Sequence, residues 1–371
     1  MNDVVVSKVI RDWPWLLTIV FLIIFGIVLN IDEIWLVTND DLQISFRGYQ
    51  FWQTAAENQG RLAHYINGFF AQAPYLSDSF FYFKSIQILP IILAIVLFSL
   101  LVGMIFRNQY VGYIQAGMLA ALWQNSHGHN LLSSYPFYSL SSFIFLLLSC
   151  VYLILHIRTQ NRVYLIVSVL LWFGTLKFSE VWHLYLLVLL SVAMIELMVT
   201  NTPRLKKEYF NIIRWYIFIS LVNLAGYLIF RYFNSSIYEG NVINWNLGDI
   251  LSTCYTYSVG LFPGYQYYLN LPTLSFVDFV TSRASLNLIF TDLILKINVY
   301  CLLVAVVIFI LLYFSRQKLK LARERLNLAL MFVFSLIYVF IPNILISLTS
   351  KYQGWVLESS AHDYLYSAYS F

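Results

Sequence analysis

Asn39-Asp40-Asp41 stands just past the first apolar run of the chain, and Gln59-Gly60-Arg61 with His64 follows it. Two acids, a guanidinium and an imidazole on one short segment can move a proton and hold an anion. A fixed carboxylate at Asp40 or Asp41 can take the proton of a hydroxyl or amide as general base. Arg61, or His64 as imidazolium, can bind a departing phosphate through charge-assisted hydrogen bonds. Adjacent carboxylates can also hold a divalent cation, although two acids alone make a poor site. The same acids have a plainer reading as caps on an interfacial helix, whose N-terminal dipole favours negative charge.

The surroundings make these groups conspicuous. The chain is 371 residues long, 60% hydrophobic and 11% charged, against roughly 25% charged in an ordinary soluble domain. Such a chain cannot cover itself with a polar surface, so an integral membrane protein is expected. Ionisable groups near hydrocarbon are costly, and they are functional candidates by default. Cys150, Cys254 and Cys301 lack the spacing of a disulfide framework or metal site and read as small apolar residues. The first apolar run lacks a small-residue cleavage site and reads as a retained anchor. Aromatic residues near span ends (Trp13, Trp15, Trp35, Tyr232, Tyr352) suit the membrane interface.

Apolar runs predict spans at 13–31, 87–106, 110–124, 136–157, 163–177, 180–199, 214–231, 295–314 and 326–348. The expected fold is therefore all-α, a polytopic transmembrane helix bundle of about nine spans. Pro90 and Pro136 are placed near helix starts, where a missing amide donor costs little. Most of the 22 Lys and Arg fall on one set of alternate loops, which puts the N-terminus in the cytoplasm. The loops 32–86 and 232–294 then face outward and are too long to be mere connectors. No repeat or linker divides residues 1–371, so a single membrane domain is expected. The expected location is the cell inner (plasma) membrane, multi-pass, with the chemistry outward.

Within loop 32–86, Leu62, Ile66, Phe69 and Phe70 recur at helical spacing, while Glu57, Arg61 and His64 form a polar stripe. Such a helix would lie flat in the headgroup layer with its polar stripe facing a cavity. Residues 42–52 suit a preceding segment of the same kind. Acids at the mouth of span one and an interfacial Arg and His are what glycosyl transfer from a lipid phosphate requires.

This arrangement resembles the GT-C superfamily of polytopic membrane glycosyltransferases, particularly bacterial members that modify surface glycans. Asp40-Asp41 matches the acidic motif of the first outer loop, and Gln59-Gly60-Arg61 looks like a downstream Gly-Arg element. The match is good over roughly the first 110 residues and agrees only in topology beyond them. The resemblance implies one acid as catalytic base and a polyprenyl-phosphate or polyprenyl-diphosphate sugar as donor. It implies a glycan, lipid or protein acceptor and membrane lipids as partners, with no nucleic acid. Members often have more spans or a soluble outer domain. This chain stops in an aromatic run (Tyr364, Tyr366, Tyr369) that can begin a tenth span, so a short or truncated member with an outer tail at 349–371 is expected.

Further groups are candidates for substrate binding. Lys177 and Glu180 flank a tight outer turn, either as an i, i+3 ion pair worth little if exposed or as cavity lining. Trp245 and the run Pro263–Tyr268 suit sugar faces, or serve as interfacial anchors. Arg283 and Lys351 are spare phosphate ligands, and Glu358, His362 and Asp363 can complete a pocket. His127 and His129 have a metal-ligand spacing without a third ligand. His156 and Glu196 lie toward the inner face and are assigned no chemistry; His183 reads as a satisfied bundle residue. Two alternatives remain. A surface-polysaccharide polymerase would use arginines in later outer loops. A flippase or transporter would show mid-membrane charge and repeats.

Overall fold

A computed structural model describes residues 48–77, 79–121, 136–200, 205–236, 238, 242–259, 306, 309–310, 340 and 343–359. Among these the chain is mostly helical, with no strand and one isolated bridge between Ile243 and Thr349. Four helical stretches, Phe81–Ile105, Leu140–Thr159, Glu180–Met198 and Lys207–Phe233, are long and apolar enough to cross a membrane. This makes the chain a membrane protein. The expected spans at 13–31, 295–314 and 326–348 fall wholly or mostly outside the described residues.

The first described elements are two short helices, α1 (Tyr49–Gln59) and α2 (Ala63–Gln72). The polar stripe Glu57–Arg61–His64 was expected on one continuous helix. Instead α1 ends at Gly60, which adopts the left-handed conformation at φ 63°. The Arg61 amide then donates back to the Ala56 carbonyl at 3.0 Å, and glycine is the residue that takes this helix-ending turn without strain. Gly68 on α2 lets Trp52 of α1 press against the backbone, where a Cβ would lie 2.6 Å from Trp52 Cβ. The break thus folds two short helices onto each other.

The bundle begins with α3 (Phe80–Ile105), started by the Ser79 hydroxyl, which accepts from the Tyr82 amide at 3.3 Å. Pro90 lies inside α3 rather than near its start, leaving one backbone hydrogen bond unmade there. Next, α4 (Gln109–Ala121) returns along α3 with Gly112 seated against the Ser99 carbonyl, a small-residue contact that lets helix backbones approach. Then α5 (Pro136–Thr159) begins at Pro136 as expected, and Gln87 of α3 accepts from its Phe137 amide at 3.1 Å. Asn161 caps the following α6 (Arg162–Leu176).

After a turn at Lys177 the chain enters a 3-10 helix, Glu180–Tyr185, and continues as α7 (Leu186–Thr200). The long α8 (Leu205–Phe233) packs its Tyr216 and Ser220 face against α6: Ser168 shares a 2.6 Å hydrogen bond with the Tyr216 hydroxyl, and Trp172 Nε1 donates to Ser220 Oγ at 3.0 Å. The core around Leu153, Ile154, Trp172, Trp182 and Tyr216 is fully buried. The other face of α8, with Phe210, Phe218, Leu221 and Ile229, is exposed and suits lipid. Finally, α9 (Leu247–Val259) packs on residues 343–347 and α10 (Ser350–Ser359), joined by Asn343 to Ser258 at 3.1 Å and Asn244 to Gln353 at 2.7 Å.

Candidate functional site

The break at Gly60 positions the site. A Cβ at Gly60 would lie 2.6 Å from the Asn234 carbonyl, so the α1–α2 corner presses directly on the end of α8. Tyr65 of α2 packs edge-on against Phe230 at 5.9 Å, and Asn67 donates to the Phe178 carbonyl at 2.9 Å. These contacts fasten α2 across one end of the bundle. Beneath it lies a cavity of 190 Å³ whose apolar wall includes Leu62, Ile66 and Leu176. Its polar wall holds Lys177, Glu180, His183, Asn223 and Tyr227.

Lys177 and Glu180 do not close on each other as an ion pair. The Lys177 ammonium sits 4.4 Å over the Phe173 ring, and burial lowers its pKa from the ordinary lysine value. Glu180 Oε1 is shielded from solvent and has no hydrogen-bond partner among the described residues. The neighbouring polar groups are already engaged. His183 Nδ1 is 3.2 Å from the Glu180 carbonyl, and Asn223 Nδ2 approaches both His183 Nε2 (3.4 Å) and the Leu176 carbonyl (3.3 Å). His183 is thus tied to neighbouring groups within the bundle, as expected of a satisfied bundle residue.

Cations gather beside the cavity. Arg61 lies 5.7 Å over the Tyr238 ring, and Lys351 of α10 donates to the Tyr238 hydroxyl at 2.8 Å. Arg231, in the last turn of α8, donates to the Tyr227 hydroxyl at 3.1 Å. Lys351 is also ringed by Tyr352 and Trp355. Burial pushes the Tyr238 phenol up, but hydrogen bonds from Lys351 and Tyr352 and the charges of Lys351 and Arg61 outweigh it. The net effect is a phenol that ionises below the ordinary tyrosine value.

His64 departs from its expected role. Burial first, and the Arg61 charge second, lower its pKa to about 3, so the imidazole is neutral at physiological pH and cannot supply a cation to phosphate. Its ring packs 5.2 Å from Trp52, and Nε2 bonds Gln59 Oε1 at 2.9 Å. Glu57 is exposed on α1 and accepts from Tyr65 at 3.4 Å, outside the cavity lining. Trp245, 73% exposed, also stands apart from that lining.

Asp40, Asp41, Arg283, His127, His129, His362 and Asp363 lie outside the described residues. Of the candidate residues, the structure places Lys177 and Glu180 in the cavity lining and brings Arg61 and Lys351 together on Tyr238. Reading the sequence for site residues missed Asn223, Tyr227, Arg231 and Tyr238. A signal for two of them exists: Tyr216, Ser220, Asn223 and Tyr227 recur at steps of four, three and four inside an apolar span, one polar face of a helix. Nothing comparable marks Tyr238, whose partners come from distant segments. Among the described residues no group of three His, Cys, Asp or Glu could hold a metal ion. No family model, curated protein or solved structure matches the chain.

Proposed function

We propose that the chain is a membrane glycosyltransferase that moves a sugar from a polyprenyl-phosphate or polyprenyl-diphosphate carrier to a glycan, lipid or protein acceptor. The observation that carries this reading is the meeting of Arg61, Arg231 and Lys351 beside a small cavity holding Glu180, at one end of an apolar helical bundle. A lipid-borne donor keeps its phosphate at the headgroup level, and guanidinium and ammonium groups there suit a phosphate leaving with developing charge. Asp40 or Asp41 is the general base in this proposal, and the Gly60 end faces outward, as the basic residues of the opposite loops favour.

The test is the mass of surface glycan in cells expressing wild type or the Asp40→Asn/Asp41→Asn double variant at equal membrane levels. A sugar-sized loss confined to the variant is the expected result. Shortened chains with unchanged unit mass would replace transfer by polymerisation. No difference in either would overturn an enzymatic role for the two acids.

A further inference from the structure

The cavity beneath α2 contains a group whose bonding is incomplete. Glu180 Oε1 is shielded from solvent without a hydrogen-bond partner among the described residues. A buried carboxylate oxygen in that state is costly. His183 and Asn223 beside it are committed to each other and to backbone carbonyls, and Lys177 is drawn onto Phe173. An occupant of the cavity can supply a donor.

The walls restrict that occupant. Leu62, Ile66 and Leu176 give the lining an apolar part. The volume of 190 Å³ is below the roughly 300–1,000 Å³ of pockets for drug-sized ligands, so it suits one small ring rather than a chain. A cationic ligand would sit beside Lys177 and near Arg231, which bonds the lining residue Tyr227. An anionic ligand would meet Glu180. An uncharged hydroxyl supplies the missing donor without either penalty.

We infer that this cavity binds a single neutral sugar ring, with a ring hydroxyl donating to Glu180 and the C–H face lying on Leu62, Ile66 and Leu176. The assignment rests on the glycosyl-transfer reading for its context, but it is argued from Glu180 and the cavity lining alone. Glu180 is a recognition residue here: it selects for a hydroxyl and against a carboxylate at the same position.

The experiment uses the full chain in lipid nanodiscs, free of sugar-based detergent, titrated with neutral methyl hexosides and with a methyl hexuronide as the anionic counterpart. Intrinsic tryptophan fluorescence and the thermal midpoint report binding. At least one neutral hexoside is expected to bind saturably and the hexuronide not to. Glu180→Leu should weaken the neutral ligand about tenfold or more, the loss of one hydrogen bond to a charged group. The same variant should leave the unliganded thermal midpoint equal or higher, because it removes an unsatisfied buried oxygen; a structural carboxylate would lower it. Absence of saturable hexoside binding, or equal binding by Glu180→Leu, would overturn the inference. The two readings fail separately. Glycan mass that depends on Asp40 and Asp41 without hexoside binding sinks the pocket alone, and hexoside binding without that dependence sinks the transferase alone.

Discussion

The two ends of the helical bundle treat similar side chains in opposite ways. At one end Glu196, 1% exposed, accepts from Arg158 Nε at 2.7 Å and from Arg107 Nη2 at 3.1 Å, while its second oxygen takes Arg158 Nη2 at 3.0 Å. Arg158 also donates to the Met104 carbonyl at 2.6 Å. One carboxylate thereby ties together the ends of α3, α5 and α7. At the Gly60 end Glu180 has a carboxylate oxygen that no described residue satisfies, and Arg61, Arg231 and Lys351 meet phenols at the edge of a cavity. Saturated bonding leaves the first cluster nothing to offer a ligand. The second leaves a Glu180 oxygen unsatisfied among the described residues, at a cost in stability that binding can recover.

The comparison breaks most sharply at Glu196. Replacing it by Ala leaves two partly exposed guanidinium groups without their shared buried partner. Removing one member of a buried ion pair costs about 3–5 kcal/mol; the 46% exposure of the Arg107 side chain favours the lower figure. A fall of the thermal midpoint and of membrane yield is expected, measured on protein in nanodiscs. Glu180→Leu, by contrast, should not destabilise. If both variants fell equally, the two carboxylates would share a structural role and the contrast would vanish.

The next effect lies at the corner itself. Gly60→Ala must place a Cβ 2.6 Å from the Asn234 carbonyl at a positive φ, so the α1–α2 corner has to lift off α8. The strain is about 1–3 kcal/mol, less than at Glu196, but it falls on the segment that carries Arg61. Transfer activity should therefore drop further than stability does, read as the rate per folded molecule against the thermal midpoint. A variant that lost stability and activity in proportion would show that the corner only supports the fold.

This contrast was only half legible in the sequence. The spans at 87–106, 136–157, 180–199 and 214–231 were readable because long apolar runs have few alternatives. The break at Gly60 was not, because helical periodicity continues through it, and both the left-handed turn and the approach of Asn234, remote in sequence, call for glycine. Pro90 was misplaced for a similar reason: in an apolar environment α3 continues past the missing donor. Glu196 and Glu180 look alike along the chain, each a lone acid at the end of an apolar run. Which of them is satisfied depends on α3 and α5 bringing Arg107 and Arg158 to Glu196. Lys177 stood within ion-pairing distance of Glu180 by spacing, yet its stem carries it to Phe173.

A smaller effect distinguishes the cations from one another. Tyr238 ionises below the ordinary value of 10.0 because Lys351 and Arg61 stabilise its phenolate. The folded state therefore holds this proton less tightly than the unfolded chain, so its contribution to stability grows as pH rises from the lowered value toward 10.0 and is lost as pH falls back through it. Lys351→Met should move the phenol upward in an ultraviolet pH titration and flatten that alkaline gain. Tyr238→Phe should abolish both signals. An unchanged titration in Lys351→Met would mean that Lys351 and Tyr238 are not in contact in solution.

The smallest effect at neutral pH belongs to His64, and it tests whether the Gly60 end is as dry as its packing indicates. Burial and then Arg61 lower its pKa from 6.5 to about 3, so the ring is neutral in the folded protein and protonates more readily once unfolded. The sign follows directly: the unfolded chain binds the extra proton between pH 6.5 and about 3, and stability is lost as pH falls through that window. At pH 7 both states are neutral, and His64→Gln should change the thermal midpoint little beyond its lost packing on Trp52. On acidification below pH 6.5 the wild type should lose stability more steeply than His64→Gln, with the gap widening toward pH 4. Equal slopes would mean that water reaches the imidazole. The corner would then open readily, and His64 would regain the capacity to bind phosphate as a cation. A steeper wild-type slope leaves that task to Arg61, whose guanidinium keeps its charge across the whole range.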